Sequence, residues 1–488
     1  MPGKGTSFAE VDRDLAGPAC LGSETVHPRL SEDLTALPDL LETTRSFAQD
    51  ALARLSARAV TVPPRPTAAE PLPIDGAGAA GALSRFAERW EPGFSAGAGP
   101  RYLGFVTGGT TPSALVGDWL TGVFDQNAAT ATDSSAAWLE QETVGWLAEL
   151  FGLGGEHSGA FVSGATMSNF VGLAIAREWL GEQLGVSVAE AGVGALGEVT
   201  VLSGAAHSSI GKALSMLGIG RDRLRPVPTL PDREAVDVRR LTEQLDRLDG
   251  RPAIVVANAG TVNTVDFDDL VAVAELKGRY PFWLHIDAAF GAFAALSGAD
   301  ADLVRGLDAA DSVCADLHKW LNVPYDSAVQ FTRRRDLQVR VFQSAAAYLG
   351  HPGEHPDFVH LTPESSRRLR ALASWFSLVA YGRTGHQDIV ERNVACARRL
   401  GELLAAAPGL RLLAPVRLNV VCFTLEGEPS ERRVAEYVRS VAESGETFLS
   451  PTVYQGVPAV RAAFSNWRTT PADVERVAAA LASAAARP

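Results

Sequence analysis

The chain has 488 residues, 46% of them hydrophobic and 21% charged, a globular composition long enough for one large domain and one or two smaller parts. Its net charge is −13 without a dense Lys/Arg block, which argues against a nucleic-acid partner. No run of about 18 apolar residues occurs, so no membrane span is expected.

The first twenty residues, "MPGKGTSFAEVDRDLAGPAC", contain no apolar signal-peptide core. Cys20, Cys314, Cys396 and Cys422 form no C-x-x-C pair. Neither a bound metal nor a disulfide framework is expected, and a reduced, cytoplasmic compartment is the default. Residues 29–59 mix acidic and apolar positions at helical spacing, and the proline-rich connector Val60–Pro73 must be largely extended. A further helix is expected around "GALSRFAERW". This opening region has little core of its own and is expected to pack on another subunit.

After residue 110 the texture changes. "SAAWLEQETVGWLAELFGL" reads as an amphipathic helix, and "GAFVSGATMSNFVGLAIAREWL" as strand, small-residue turn and long helix. "VTVLSGAAHSSIGKALSML" repeats that order. "PAIVVANAGTVNTVDFDDLVAVAELKG" gives strand, glycine loop and a helix started by Asp266 or Asp268, and "PFWLHIDAAF" is another buried strand. Apolar strands alternating with helices predict an α/β fold with a mostly parallel sheet covered on both faces. Ligands of such sheets bind at the carboxyl ends of the strands, where the polar punctuation falls. A long helix is expected over 371–400, followed by mixed strands and surface helices. The division is therefore 1–109 as a helical segment, 110–376 as the large domain and 377–488 as a small α+β domain.

Four features sit at successive strand ends. Ser163–Thr166 ("SGAT") opens a helix, and a helix N-terminus with free amides suits a phosphate. His207 follows the next strand, and Asp287 ends an apolar run where an unpaired charge is costly. Lys319 lies between His318 and Trp320, in the apolar company that makes a lysine a nucleophilic amine. Each alone has an ordinary explanation: a packing turn, a structural histidine, a cap, a snorkelling lysine. Together they supply what pyridoxal 5′-phosphate requires, namely a phosphate cradle, a stacking ring, an acid for the pyridinium nitrogen and a Schiff-base lysine.

Over about residues 95–475 the chain resembles the group II pyridoxal-phosphate decarboxylases, the family of aromatic L-amino acid, histidine and glutamate decarboxylases. "YLGFVTGGTTPSALVGDWL", "AHSSIGKA", "HIDAAF", "LHKWLNVPYD", "SRRLRALASWF" and "SNWRTT" carry the resemblance. It implies the fold type I (aspartate aminotransferase-like) architecture, a homodimer, and an amino acid as substrate. It further implies that Lys319 anchors the cofactor and that Asp287 pairs with its ring nitrogen. Gly164, Ala165 and Thr166 match the phosphate turn, with His318 near it. His207 matches the stacking histidine, Ala289 the small residue on the other ring face, and Thr261 the threonine near the 3′-oxygen. Asp316 stands where animal aromatic decarboxylases have an asparagine touching the phosphate, and an aspartate there would repel a dianion unless protonated or turned away.

Tyr348, in "AAYLGHPGEHPDF", matches the mobile-loop tyrosine that completes the decarboxylation cycle. The resemblance places Phe105, Val106 and Thr107 on the side-chain pocket, and brings Asn127 and Thr130 to it from the other subunit. Neither stretch holds an arginine or lysine, which weighs against an acidic substrate, and the apolar pair favours an aromatic one. The expected reaction is decarboxylation of an L-amino acid to its amine. The alternatives are an aldehyde synthase, which in this family carries phenylalanine at the lid tyrosine, and a non-catalytic homologue.

Overall fold

The runs "AIVVAN" and "FWLHID" form two adjacent strands buried at every position, the pattern of a sheet covered on both faces. The computed structural model describes residues 26–63, 67–344 and 356–486. By contacts the chain divides into two units, Met1–Ala57 with Pro63–Phe94, and Arg58–Val62 with Ser95–Pro488.

In the first unit the helices Pro28–Thr35, Leu37–Arg54 and Gly78–Arg89 bury no residue. Phe47, Phe86 and Phe94 meet edge to face, with ring centroids 6.2 and 5.6 Å apart. Leu30, Leu34, Leu41 and Leu52 remain exposed.

The second unit holds two sheets. The larger comprises β1 (Ser158–Val162), β2 (Val201–Ser203), β3 (Leu224–Pro226), β4 (Ala253–Asn258), β5 (Phe282–Asp287), β6 (Ser312–Asp316) and β7 (Ala328–Thr332), in the order β1-β7-β6-β5-β4-β2-β3. From β6 to β3 the neighbours are parallel, and β7 alone is reversed, antiparallel to both β6 and β1. Separate apolar clusters cover the two faces: Leu284, Ile286 and Phe293 lie in one, Val256, Trp283 and Ile210 in the other. The second sheet, β8 (Leu410–Leu412), β9 (Val420–Leu425), β10 (Ser450–Tyr454) and β11 (Val457–Ala463), is antiparallel in the order β10-β11-β9-β8. The helices Glu431–Glu443 and Pro471–Ala485 share its core through Val434, Val441, Val474 and Leu481.

One long element serves both sheets. The helix Ala371–Ala406 is interrupted at Gly382, whose φ of 56° a side chain would resist. Leu372 and Leu378 join the core of the large sheet, while Leu400 and Leu404 join that of the small one.

One local reading is revised. The helix after β4 is Leu270–Glu275, capped by Asp269, whose carboxylate accepts from the amide of Ala272. Asp268 cannot cap it, because its carboxylate turns inward to the amides of Val236 (2.6 Å) and Asn258 (2.7 Å). Asp266 is committed to Arg233.

A buried ion pair fastens the helix Ala136–Leu150 to β1. Glu140 and Arg367 are both fully buried and 2.7 Å apart. Glu140 also accepts from the amide of Phe161, and Arg367 donates to the carbonyls of Phe161 and Ala128. Removing one partner of such a pair costs about 3–5 kcal/mol, because the other charge stays buried. Glu140→Ala should therefore lower the denaturant midpoint sharply, whereas Arg29→Ala at the exposed Arg29–Glu32 pair should cost at most about 1 kcal/mol.

Candidate active site

The carboxyl ends of β2, β4, β5 and β6 open on a cavity of about 270 Å³, a volume suited to a small molecule. His207, Thr261, Asp287, Ala289, His318, Lys319, Phe105, Val106 and Ala165 all line it. Residues spread over more than two hundred positions thus meet in one place.

Asp287 ends β5 and is 7% exposed. Its Oδ2 accepts from Asn169 Nδ2 at 2.9 Å and its Oδ1 from the amide of Ala289 at 3.2 Å. Asn169 lies on the helix Ala165–Gln183, and its carbonyl oxygen faces His285 Nε2 at 3.0 Å. His285 Nδ1 lies 2.8 Å from Ser312 Oγ, which accepts from Trp283 Nε1. The amide oxygen of Asn169 needs a donor, so the proton of the neutral histidine sits on Nε2, and Nδ1 accepts from the serine hydroxyl. Full burial pushes His285 down to about 4, so it is neutral at pH 7. The chain of donors ends on Asp287 and fixes the direction of its carboxylate.

The same asparagine reaches a second wall. Its Nδ2 also donates to Ser209 Oγ at 3.0 Å, and Ser209 Oγ lies 2.8 Å from His207 Nδ1. The amide of Ser209 donates to that nitrogen too. His207 Nδ1 is thus an acceptor, and the proton of the neutral ring sits on Nε2. Burial lowers the pKa of His207, against the opposing pull of Asp287. Asn169, Ser209 and His285 escape a sequence reading, because a polar residue within a helix or strand carries no mark of the face on which it lies.

Lys319 sits on the short helix Leu317–Trp320 that follows β6. Its Nζ lies 5.5 Å above the Phe290 ring and 3.8 Å from Asp316 Oδ2. Gly108 presses on the backbone here: a Cβ at Gly108 would stand 1.7 Å from the Lys319 carbonyl oxygen. Asp316 lies inside the expected phosphate turn. Its Oδ2 accepts from the amide of Ala165, the first residue of the helix Ala165–Gln183, at 3.1 Å. Gly164 is that helix's N-cap, packed near His318 Cε1, and Thr166 is its second residue.

The remaining expected residues divide. Thr261 lines the cavity, but its hydroxyl is committed, donating to Glu234 Oε2 (2.6 Å) and accepting from the amide of Asp266 (2.9 Å). Thr107 does not line the cavity; its carbonyl accepts from Ser465. Asn127 and Thr130 do not line it within one chain: Asn127 accepts from the amide of Arg367, and Thr130 pairs with Thr132. Tyr348 lies outside the described residues.

One cation was missed. Arg461, on β11 of the small sheet, is 8% exposed and lines the cavity. Its Nη1 donates to the Val262 carbonyl at 2.6 Å, while its Nε has no partner among the described residues. Arg461 comes from outside the two stretches that the sequence places on the side-chain pocket, neither of which holds an arginine or lysine. The signal was a lone arginine in "AVRAAF", the same kind of mark that exposed Lys319.

A primary amine, a carboxylate fixed by a donor chain and a helix N-terminus on one cavity fit a phosphorylated pyridine aldehyde. Residues 83–426 match the pyridoxal-dependent decarboxylase conserved domain. The aromatic-L-amino-acid decarboxylase of Bacillus atrophaeus is 28% identical over 387 residues, 76% of this chain and 78% of that protein. That of Drosophila simulans is 27% identical over 505 residues, 95% of this chain and 94% of that one. TDC of Oryza sativa, solved with PLP and tryptamine, has a TM-score of 0.86 at 22% identity, covering 94% of this chain and 99% of its own. The fold is accordingly that of the fold type I pyridoxal-phosphate enzymes. On a match that spans the whole of the large sheet and reaches into the small one, this chain belongs to the pyridoxal-dependent decarboxylases, enzymes that work with pyridoxal 5′-phosphate.

Proposed function

We propose that this chain decarboxylates an aromatic L-amino acid to the corresponding amine, with Lys319 as the cofactor's covalent anchor. The observation that carries the reading is the pairing, across one cavity, of Lys319 with the donor-fixed carboxylate of Asp287. Bound pyridoxal phosphate supplies an electron sink for the pair left behind by carbon dioxide. Asp287 holds a proton at the ring nitrogen. His207 offers a flat face and an Nε2 proton, and Ala289 leaves room for a ring. Gly164, Ala165 and Thr166, with His318 beside them, receive the phosphate. Phe105 and Val106 give the cavity an apolar wall that suits an aromatic side chain, in keeping with the names of the relatives. Arg461 brings a buried guanidinium with an uncommitted Nε, a partner for the substrate carboxylate.

Tyr348 is the proposed proton donor to the α-carbon. A second copy is proposed to cover the unburied helices of residues 28–54 and to bring Asn127 and Thr130 to the cavity. Exposed Trp119, Val123, Phe124 and Trp138 support that reading. A cytoplasmic location is supported by Cys314, Cys396 and Cys422, which are free and buried. Sedimentation should show a dimer; a fully active monomer at micromolar concentration would overturn the shared site.

Incubation with each common L-amino acid, with amines read by mass spectrometry, should give amines from aromatic substrates. Amine from aspartate or glutamate alone would assign Arg461 to the side chain instead. Lys319→Ala should lose both the visible absorption of the bound cofactor and all amine formation, with its circular dichroism intact. Arg461→Met should keep that absorption and lower kcat/KM by about ten- to a hundredfold, the scale of one charged hydrogen bond. Tyr348→Phe should also leave the absorption unchanged and slow amine formation by about a hundredfold or more. Aldehyde and peroxide from the unaltered protein would indicate the synthase reaction.

A further inference from the structure

The carboxylate of Asp316 occupies the mouth of the turn that the proposed function gives to the phosphate. It is 1% exposed and ends β6. Its one aligned hydrogen bond is the 3.1 Å contact from the amide of Ala165, a donor at the helix N-terminus that a phosphate would need. The other oxygen, Oδ1, lies 3.1 Å from His318 Nε2 but is not aligned for a hydrogen bond, and it finds no other partner among the described residues. A charged carboxylate at such burial normally takes several donors.

The neighbours do not neutralise it fully. From the helix Leu317–Trp320 come Lys319 at 3.8 Å and His318, whose Nδ1 faces the amide of Ser327 at 3.3 Å and whose pKa burial lowers. From β5 comes the negative Asp287, and from β6 itself the Cys314 thiol, which burial pushes up. The Tyr325 ring lies tilted against His318, with ring centroids 4.2 Å apart. Desolvation raises the pKa of Asp316, partly offset by Lys319 and His318. A phosphate dianion at this turn adds charge of the same sign beside an under-solvated carboxylate, and it draws on the same lysine. One proton resolves the conflict, because a neutral carboxyl becomes an O–H donor to a phosphate oxygen.

We propose that Asp316 takes up one proton as the cofactor's phosphate binds, and then serves as a neutral carboxyl ligand of that phosphate. The inference rests on the assignment of the Gly164–Thr166 turn to the cofactor. Its consequence is cofactor affinity linked to pH. Asp316 is harder to ionise with the phosphate present than without it, so affinity is high in acid and falls as pH rises between the two values.

The test compares the full-length protein with Asp316→Asn, measuring dissociation constants for pyridoxal phosphate and for pyridoxal, which lacks the phosphate, from pH 6 to pH 9. The asparagine keeps a donor and cannot ionise. For pyridoxal phosphate, affinity should fall more steeply in the parent protein, by up to about tenfold per pH unit, leaving the variant about tenfold or more tighter at the alkaline end. With pyridoxal the two proteins should run in parallel. His318→Gln should keep the steeper slope, and its loss there would move the proton to the histidine and overturn the proposal. So would parallel profiles for pyridoxal phosphate, or an equal difference with pyridoxal. A measurement on the parent protein alone guards against a variant that does not fold. Calorimetry at pH 8 in two buffers should count about one more proton taken up with pyridoxal phosphate than with pyridoxal, since the free phosphate is already a dianion above its pKa near 6. No difference in that count sinks the idea. Failure to bind either compound at any pH defeats the assignment of the cavity itself, a separate outcome.

Discussion

A charged carboxylate at the end of a fully buried strand must be held by donors, and in this chain that need organises the site. Asp287 gets its donors from Asn169 and from the amide of Ala289. Asn169 in turn is oriented by His285, Ser312 and Trp283, three residues buried among the strands and the helix above them. The orientation is not free to reverse. Asp287 accepts from Asn169 Nδ2, which turns the amide oxygen to His285 Nε2; the neutral ring then carries its proton there, and Nδ1 accepts from Ser312. A directional chain of neutral groups thus ends on one negative charge, in surroundings of low dielectric where a misplaced partner would be costly.

The helix Ala165–Gln183 ties this chain of donors to the turn at Gly164. Ala165 opens it, and Asn169 follows about one turn later, a rise of roughly 6 Å. Its glycine side is packed just as closely: a Cβ at Gly172 would stand 2.8 Å from the His285 ring. The amide that meets Asp316 and the amide group that meets Asp287 therefore sit on one rigid element. The spacing of these two contacts is set by helix geometry rather than by a loop.

The small sheet contributes more than a lid. Arg461 reaches the cavity from β11, and Ser450 at the start of β10 accepts from the amide of Phe105 at 2.6 Å. Phe105 holds a φ of 55°, unusual for a large side chain, and that hydrogen bond supports it. Glu234 collects the donors of Thr261, Asn263 and Thr264, while Asn263 also accepts from Thr452 of β10. The wall of the cavity and the framework that positions it are thus drawn from both sheets.

What was legible in the sequence was chemistry that stands out against an apolar background. Asp287 and Lys319 could be read because each is a lone charge in a run of buried residues, and His207 because it follows such a run. The parallel sheet was legible for the same reason: strands without alternation need cover on both faces. Other facts depended on orientation, which a linear pattern does not carry. Whether Asp268 or Asp269 caps a helix was decided by two inward-facing amides. The place of Arg461 in the cavity was decided by how β11 meets the loop at Val262, and the contact of Asp316 with Ala165 by the closure of β6 on a helix that begins about 150 residues earlier. The sequence by itself determined which groups were present and that their burial required partners. Only the tertiary structure decided which partner each one found, because a hydrogen bond is fixed by direction and distance between elements remote in the chain.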